Sequence, residues 1–123
     1  MIKFTIQMNP ITKKNHQRII FNRNTGRRMV IPSQQYKDYE HDCAYFMPPY
    51  KAEGKVNVKA VFYMETRRRV DLVNLLQALL DILVKYDVIE DDNAQIVVSV
   101  DGSKVLYDKE NPRTEVEITE VLE

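Results

Sequence analysis

The chain of 123 residues has one cysteine, Cys43, and a single thiol makes no internal disulfide. No Cys/His set has zinc spacing either, so a disulfide scaffold and a zinc module are both excluded. Long apolar runs are missing: the longest are a few residues, far short of the roughly 20 a membrane helix needs. Met1 opens directly into an alternating pattern, with no basic leader followed by an apolar region, which argues against a secretory signal. These absences predict a cytoplasmic protein with no membrane partner. Net charge is missing too. Eighteen Lys+Arg balance eighteen Asp+Glu, and a pI of about 6.7 points globally to neither nucleic acid nor membrane. No internal repeat, low-complexity segment or interdomain linker is visible.

What is present is one domain's worth of chain with 44% hydrophobic residues, enough to bury a core unaided. The neutral total hides a split. Residues 1–70 carry fourteen Lys+Arg and five Asp+Glu, a net of +9, whereas residues 71–123 carry four and thirteen, a net of −9. From Met1 to Lys37 there is no acidic residue at all. A basic half and an acidic half of equal size are themselves a hint of function.

Ile2, Phe4, Ile6 and Met8 alternate with polar residues, the period of a half-buried strand, which Asn9-Pro10 ends. Arg18 to Phe21 and Arg28 to Ile31 flank Asn24-Thr25-Gly26 and predict a hairpin with a basic tip. Ser33 reads as a helix N-cap, with Tyr36, Tyr39, Cys43 and Phe46 at helical spacing until Pro48-Pro49 stops the run. Lys55 to Tyr63 alternates with Val56, Val58, Ala60 and Phe62 on one side and Val61 and Tyr63 on the other, as expected of a central strand. From Asp71 to Lys85, seven Leu and Ile residues follow a helical period without Gly or Pro. Ile96, Val98 and Val100 suggest a short strand. A terminal strand carries Val116, Ile118 and Val121, with Glu115, Glu117, Glu120 and Glu123 on what reads as an exposed surface. Two main helices among five or six strands, without strict βαβ alternation, predict a single α+β domain with a mixed β-sheet over residues 1–123.

The chemistry concentrates at Arg67-Arg68-Arg69-Val70-Asp71-Leu72-Val73-Asn74-Leu75 and, beyond the helix, at Glu90-Asp91-Asp92-Asn93. Mg²⁺ takes hard oxygen ligands and usually only one or two carboxylates, so Asp71 and Asp92 suffice for one ion. A helix over 71–85 is roughly 22 Å long at about 1.5 Å per residue. A return over 86–92 spans at most roughly 23 Å at about 3.3 Å per residue, so the two carboxylates meet within one chain only if that return is nearly straight. A second subunit is the other route. Each cluster also has a plain structural reading: Asp71 as a helix N-cap, Glu90 to Asn93 as a solvated loop, and Arg67 to Arg69 as a solvated strand end.

Taken together, the Arg-rich run, Asp71-Leu72-x-Asn74-Leu75, the helix and Asp91-Asp92 resemble the RusA-type Holliday junction resolvases. Lys13-Lys14-Asn15 and Pro32-Ser33 followed by Tyr36 fall in the matching order, and the resemblance spans nearly the whole chain. It implies a RusA-like fold and a homodimeric endonuclease that uses Mg²⁺, with Mn²⁺ as a substitute. Such an enzyme binds four-way DNA junctions and cuts two strands symmetrically, in DNA recombination and repair. Family members use three aspartates per site, two in Asp-x-Asp at the helix start and one after the helix, plus a lysine one turn into the helix. By position Asp71 matches the first aspartate and Asp92 the third, with Asp91 beside it. Val73 and Gln77 stand where the second aspartate and the lysine are expected. Glu90 and Asp91 are the nearest carboxylates to stand in as ligands, and Asn74 offers a neutral oxygen.

The basic half then has a use. Lys13, Lys14, Asn15, Arg18, Arg23, Arg27 and Arg28, with Arg67, Arg68 and Arg69, are the expected contacts to DNA phosphates, which give affinity without sequence readout. His16 lies in the same basic loop. His41 is expected to be exposed and Cys43 to be core, while Phe21 and Tyr50 read as packing residues. Paired cuts call for two equivalent sites, as in a C₂ dimer, and the leucine-rich helix has apolar residues over more than one face. Two other readings stand beside the nuclease. One is a RusA-like protein that binds branched DNA with weak or no cleavage because of Val73 and Gln77. The other is an α+β interaction domain whose acidic and basic segments pair with each other.

Overall fold

The computed structural model describes residues 1–13 and 17–122, with residues 17–20, 30 and 32 described by their backbone. Strands β1 (Ile2–Ile6), β2 (Gln17–Asn22) and β3 (Arg27–Pro32) precede helix α1 (Gln34–Asp42), which runs into a 3₁₀ turn at Cys43–Phe46. Then come β4 (Val56–Met64), α2 (Leu72–Lys85), β5 (Val97–Ser99), β6 (Lys104–Tyr107) and β7 (Arg113–Glu120). The fold is α+β, as expected. β1, β7, β4 and β5 form one sheet in that order with β6 also on β4, while β2 and β3 form a separate hairpin.

β4 is the central strand. Its alternate residues Val56, Val58, Ala60 and Phe62 are buried on one face, and Val61 is buried too, which leaves little of either face to water. β7 pairs with it antiparallel along most of its length, and β5 and β6 pair with it parallel. β4, α2 and β5 thus make a parallel crossover that lays α2 on the sheet. Leu75, Ala78, Leu79, Ile82 and Leu83 form the buried stripe of α2, packed into one core with Tyr36, Cys43, Val88, Ile89, Val116 and Ile118.

Two sequence expectations change. The terminal strand is not exposed throughout, because β7 lies between β1 and β4: Glu115 and Glu117 are half-buried, Glu120 is exposed, and Glu123 lies outside the described residues. Thr114, Val116 and Ile118 face the core, and on the other face Glu117 is flanked by Lys3 and Lys59 at 3.3 and 3.7 Å. The second difference is β6, which the sequence pattern does not announce. It begins after Gly102, whose φ is +87° and whose missing Cβ would fall 3.0 Å from the Lys59 stem. The turn therefore favours glycine for its backbone, and a larger residue would also have to push the Lys59 stem aside. β6 continues alongside the end of β4, and the Asp108 amide bonds the Met64 carbonyl at 2.9 Å.

The two short motifs read from sequence are as expected. Asn24 N–H and Thr25 N–H donate to Asn22 Oδ1 at 2.9 and 3.3 Å, and Gly26 takes φ +69° to close the hairpin. Ser33 caps α1 by accepting from the Tyr36 amide at 3.2 Å.

Candidate active site

The loop between β4 and α2 carries the arginines and delivers Asp71 to the N-cap position of α2. Its backbone carbonyl accepts from the Leu75 amide at 3.1 Å, but its carboxylate makes no capping bond to the helix. Most N-cap aspartates satisfy an exposed N–H with that side chain. Here Oδ2 instead accepts from Asn74 Nδ2 at 3.2 Å, and the residue is exposed. The plain capping account of Asp71 therefore does not hold for its side chain.

The acidic segment after the helix turns back at a well-formed stop. The Val88 amide bonds the Leu83 carbonyl at 2.8 Å and the Asp87 amide the Val84 carbonyl at 3.1 Å, with Asp87 at φ +60°. This is a Schellman arrangement with aspartate in the position glycine usually takes. Val88 and Ile89 bury against the core, and the chain then rises past Glu90 and Asp91 in bends to Asp92. A straight return is not what forms.

Asp92 meets α2 at Gln77, whose Nε2 donates to Asp92 Oδ2 at 3.3 Å and to Asp81 Oδ1 at 2.9 Å. Gln77 lies six residues into the helix from Asp71, about 9 Å along the axis at about 1.5 Å per residue. Asn74 and Gln77 are three residues apart and share a face of the helix, so the two carboxamides hold Asp71 and Asp92 along that face. Asp92 is half-buried, and Glu90 and Asp91 are exposed. Asp91 is engaged in its own loop, accepting from the Asp92 amide at 2.7 Å and from Asn93 Nδ2 at 3.2 Å. Asp81 is the acidic residue that the sequence reading passes over. Its signal was the i, i+4 spacing from Gln77, which lets the amide reach it. Among the described residues, no three His, Cys, Asp or Glu side chains stand together as a metal-holding group. Val73 projects from the first turn of α2 and is 74% exposed, with no ligating atom to offer.

Arg68, Arg69 and Val70 are shared by three adjoining hollows. One, of about 340 Å³, has Asp71 in its wall. A second, of about 230 Å³, reaches Asn9, Gln35 and Glu65, where the Glu65 amide bonds Asn9 Oδ1 at 3.0 Å and ties the two loops together. The third opens toward β6 and takes in Arg67. All three arginines are exposed, as are Lys13 and, at the hairpin tip, Arg23, Arg27 and Arg28. Arg18 lies on β2, with its side chain outside the described part, and Lys14, Asn15 and His16 lie outside the described residues. Phe21 and Tyr50 are not packing residues: they are 63% and 55% exposed. No helix among the described residues is long and apolar enough to cross a membrane.

An α+β domain that sets exposed and half-buried carboxylates along one helix, beside a bank of arginines, has the groups suited to a phosphodiester backbone. Residues 7–119 match the family model described as Endodeoxyribonuclease RusA, and the chain belongs to that family. No curated protein matches it. The family is one of endonucleases that bind branched DNA and resolve Holliday junctions.

Proposed function

We propose that this protein is a divalent-metal-dependent endodeoxyribonuclease that works as a homodimer on four-way junctions, with Asp71 and Asp92 as its central acids. The observation that carries the reading is the placement of these two carboxylates along one face of α2, each held by a carboxamide, with Arg68 and Arg69 in the hollow that contains Asp71. Two carboxylates match what Mg²⁺ asks of a protein, since it keeps waters and phosphate oxygens for its remaining positions. Asp71 and Asp92 would hold the ion, with Asp91 and Glu90 near enough in sequence to add a ligand once DNA is bound; Mn²⁺ is the natural substitute. When bound, the ion supplies Lewis-acid polarisation of the phosphate and a more acidic water. The chain's own contribution is positional and electrostatic. Arg68 and Arg69 neutralise the phosphate charge, and Gln77 holds Asp92 against the helix without adding positive charge of its own.

The second reading is a branched-DNA-binding protein with weak or no cleavage. Two observations favour it: Val73 places an exposed hydrocarbon where the family has a carboxylate, and the described residues hold no three-acid cluster. A synthetic four-way junction incubated with Mg²⁺, with EDTA, and with the Asp71→Asn variant separates the two. Paired cuts that need the metal and Asp71 support the nuclease. Salt-sensitive binding without cuts supports the second reading, and no binding at low salt overturns both. Sedimentation of the free protein tests the dimer.

A further inference from the structure

Two arginine–tyrosine stacks stand at the same end of the main sheet. Arg113 lies 3.7 Å over the Tyr63 ring and is fully engaged. Its Nε bonds Glu115 at 3.0 Å, and its Nη1 bonds Asp108 and the Asn111 carbonyl, both at 2.9 Å. Arg67 lies 4.3 Å over the Tyr107 ring, but among the described residues it has no carboxylate partner and no hydrogen bond from its guanidinium. The first stack is closed and neutralised. The second is open, with Tyr107 39% and its neighbour Leu106 41% exposed.

The open stack lines a depression of about 650 Å³ together with the apolar groups of Tyr63, Val105 and Leu106 and the cations Arg68 and Arg69. No carboxylate lines it. It adjoins the hollow containing Asp71 through Arg68, Arg69 and Val70, common to both. A guanidinium lying over an exposed aromatic ring offers a flat cationic face on which a nucleobase can stack, and the neighbouring Arg68 and Arg69 suit its phosphate. In a duplex the base faces are already stacked, so the complementary ligand is an unpaired nucleotide. We propose that this depression binds an unpaired nucleotide of the DNA strand that runs past Asp71, with its base stacked on the Arg67–Tyr107 pair and its phosphate on Arg68 and Arg69. The inference rests on the reading of the protein as DNA-acting. It adds a selectivity for unpaired nucleotides next to the cutting site, which cleavage chemistry alone does not require.

The test measures affinity for a short oligothymidylate and for a duplex of the same length, using the wild type, Tyr107→Leu and Arg67→Lys. Tyr107→Leu is expected to weaken oligothymidylate binding roughly ten- to hundredfold, the usual worth of one stacked base, with duplex affinity changed less than about twofold. A 2-aminopurine at an unpaired position is expected to be quenched by the wild type and not by Tyr107→Leu. Arg67→Lys, which keeps the charge but not the plane, is expected to preserve the salt dependence and lose part of the quench. Equal effects on both DNAs, or none on the oligothymidylate, overturn the proposal. If Tyr107→Leu lowers the unfolding midpoint, Arg67→Lys carries the test by the same criteria. A wild type that quenches but never cuts junctions overturns the nuclease reading alone, whereas one that cuts without distinguishing the two DNAs overturns this proposal alone.

Discussion

The two ends of α2 are built to opposite standards. At the C-terminal end nearly every group has a partner: two backbone bonds close the Schellman turn, Leu83 and Val88 are fully buried beside it, Lys85 pairs with Glu40 at 2.6 Å, and the Tyr86 hydroxyl donates to the Glu40 carbonyl at 2.7 Å. At the N-terminal end Asp71 leaves the helix amides uncapped by its side chain, Val73 is exposed, and three arginines stand in the loop before it without an ion pair among the described residues. Groups that satisfy one another hold the fold, and groups left unsatisfied are available to a ligand. The contrast predicts that changes at one end cost stability, and changes at the other cost activity.

The largest effect is expected from Asp71→Asn. In the proposed metal role, loss of the Asp71 carboxylate removes several kcal/mol of transition-state stabilisation, so junction cleavage falls about a thousandfold or more, while unfolding free energy stays within about 0.5 kcal/mol, as for most surface changes. A stability loss as large as that at the other end would break the comparison. Next is Leu83→Ala, which opens a cavity at the closed end. Urea denaturation is expected to show a loss of about 2–5 kcal/mol, with DNA affinity unchanged in the fraction that remains folded.

A pH effect of intermediate size belongs to the core beneath α1. Burial pushes the Cys43 thiol up to about 12, whereas in the unfolded chain it ionises near its ordinary value of about 8.5. The folded pKa is the higher one, so stability is intact below about pH 8.5 and declines above it by about 1.4 kcal/mol per pH unit. Tyr36 and Tyr39, also raised by burial, add to the decline only above about pH 10. Stability curves between about pH 8.5 and 10 are expected to flatten in Cys43→Ala; an unchanged slope would show that the thiol is not the cause. The smallest effect is expected at Asp87, whose φ of +60° glycine adopts at less cost. Asp87→Gly gives up an exposed ion pair with Lys51 at 3.0 Å, worth about 0–1 kcal/mol, and is expected to shift stability by about 0.5 kcal/mol or less in a denaturation midpoint. A loss of several kcal/mol there would mean that the turn depends on the carboxylate.

Periodicity carried much of the architecture. The buried residues on alternate positions of β4, the apolar stripe of α2 and the Ser33 cap are all local signals, because each depends on spacing within a single element. The misreadings are non-local. β7 looks like an exposed strand because its glutamates alternate with apolar residues, yet pairing on both sides and the lysines of β1 and β4 place it inside the sheet. β6 is four residues long and has no strong period of its own. Asp81 joins the site only because Gln77, its partner one turn away, also reaches Asp92, fifteen positions further along the chain, and the Arg67–Tyr107 stack joins residues forty positions apart.

The α+β class, the central strand, the leucine-rich helix and the resemblance to RusA resolvases are legible in the residues alone, since these rest on hydrophobic period and on the order of a few polar residues. What the acids and arginines face depends on how the chain packs. The α2 C-terminal turn sets how far the chain climbs back, and so brings Asp92 to Gln77, on the face of α2 that also carries Asn74 and its partner Asp71. The pairing of β6 with β4 puts Tyr107 under Arg67. The +9 and −9 halves pair where the sheet and the turns bring them together, at Glu117 between Lys3 and Lys59 and at Asp87 beside Lys51, and no count of charges along the chain specifies which of them meet.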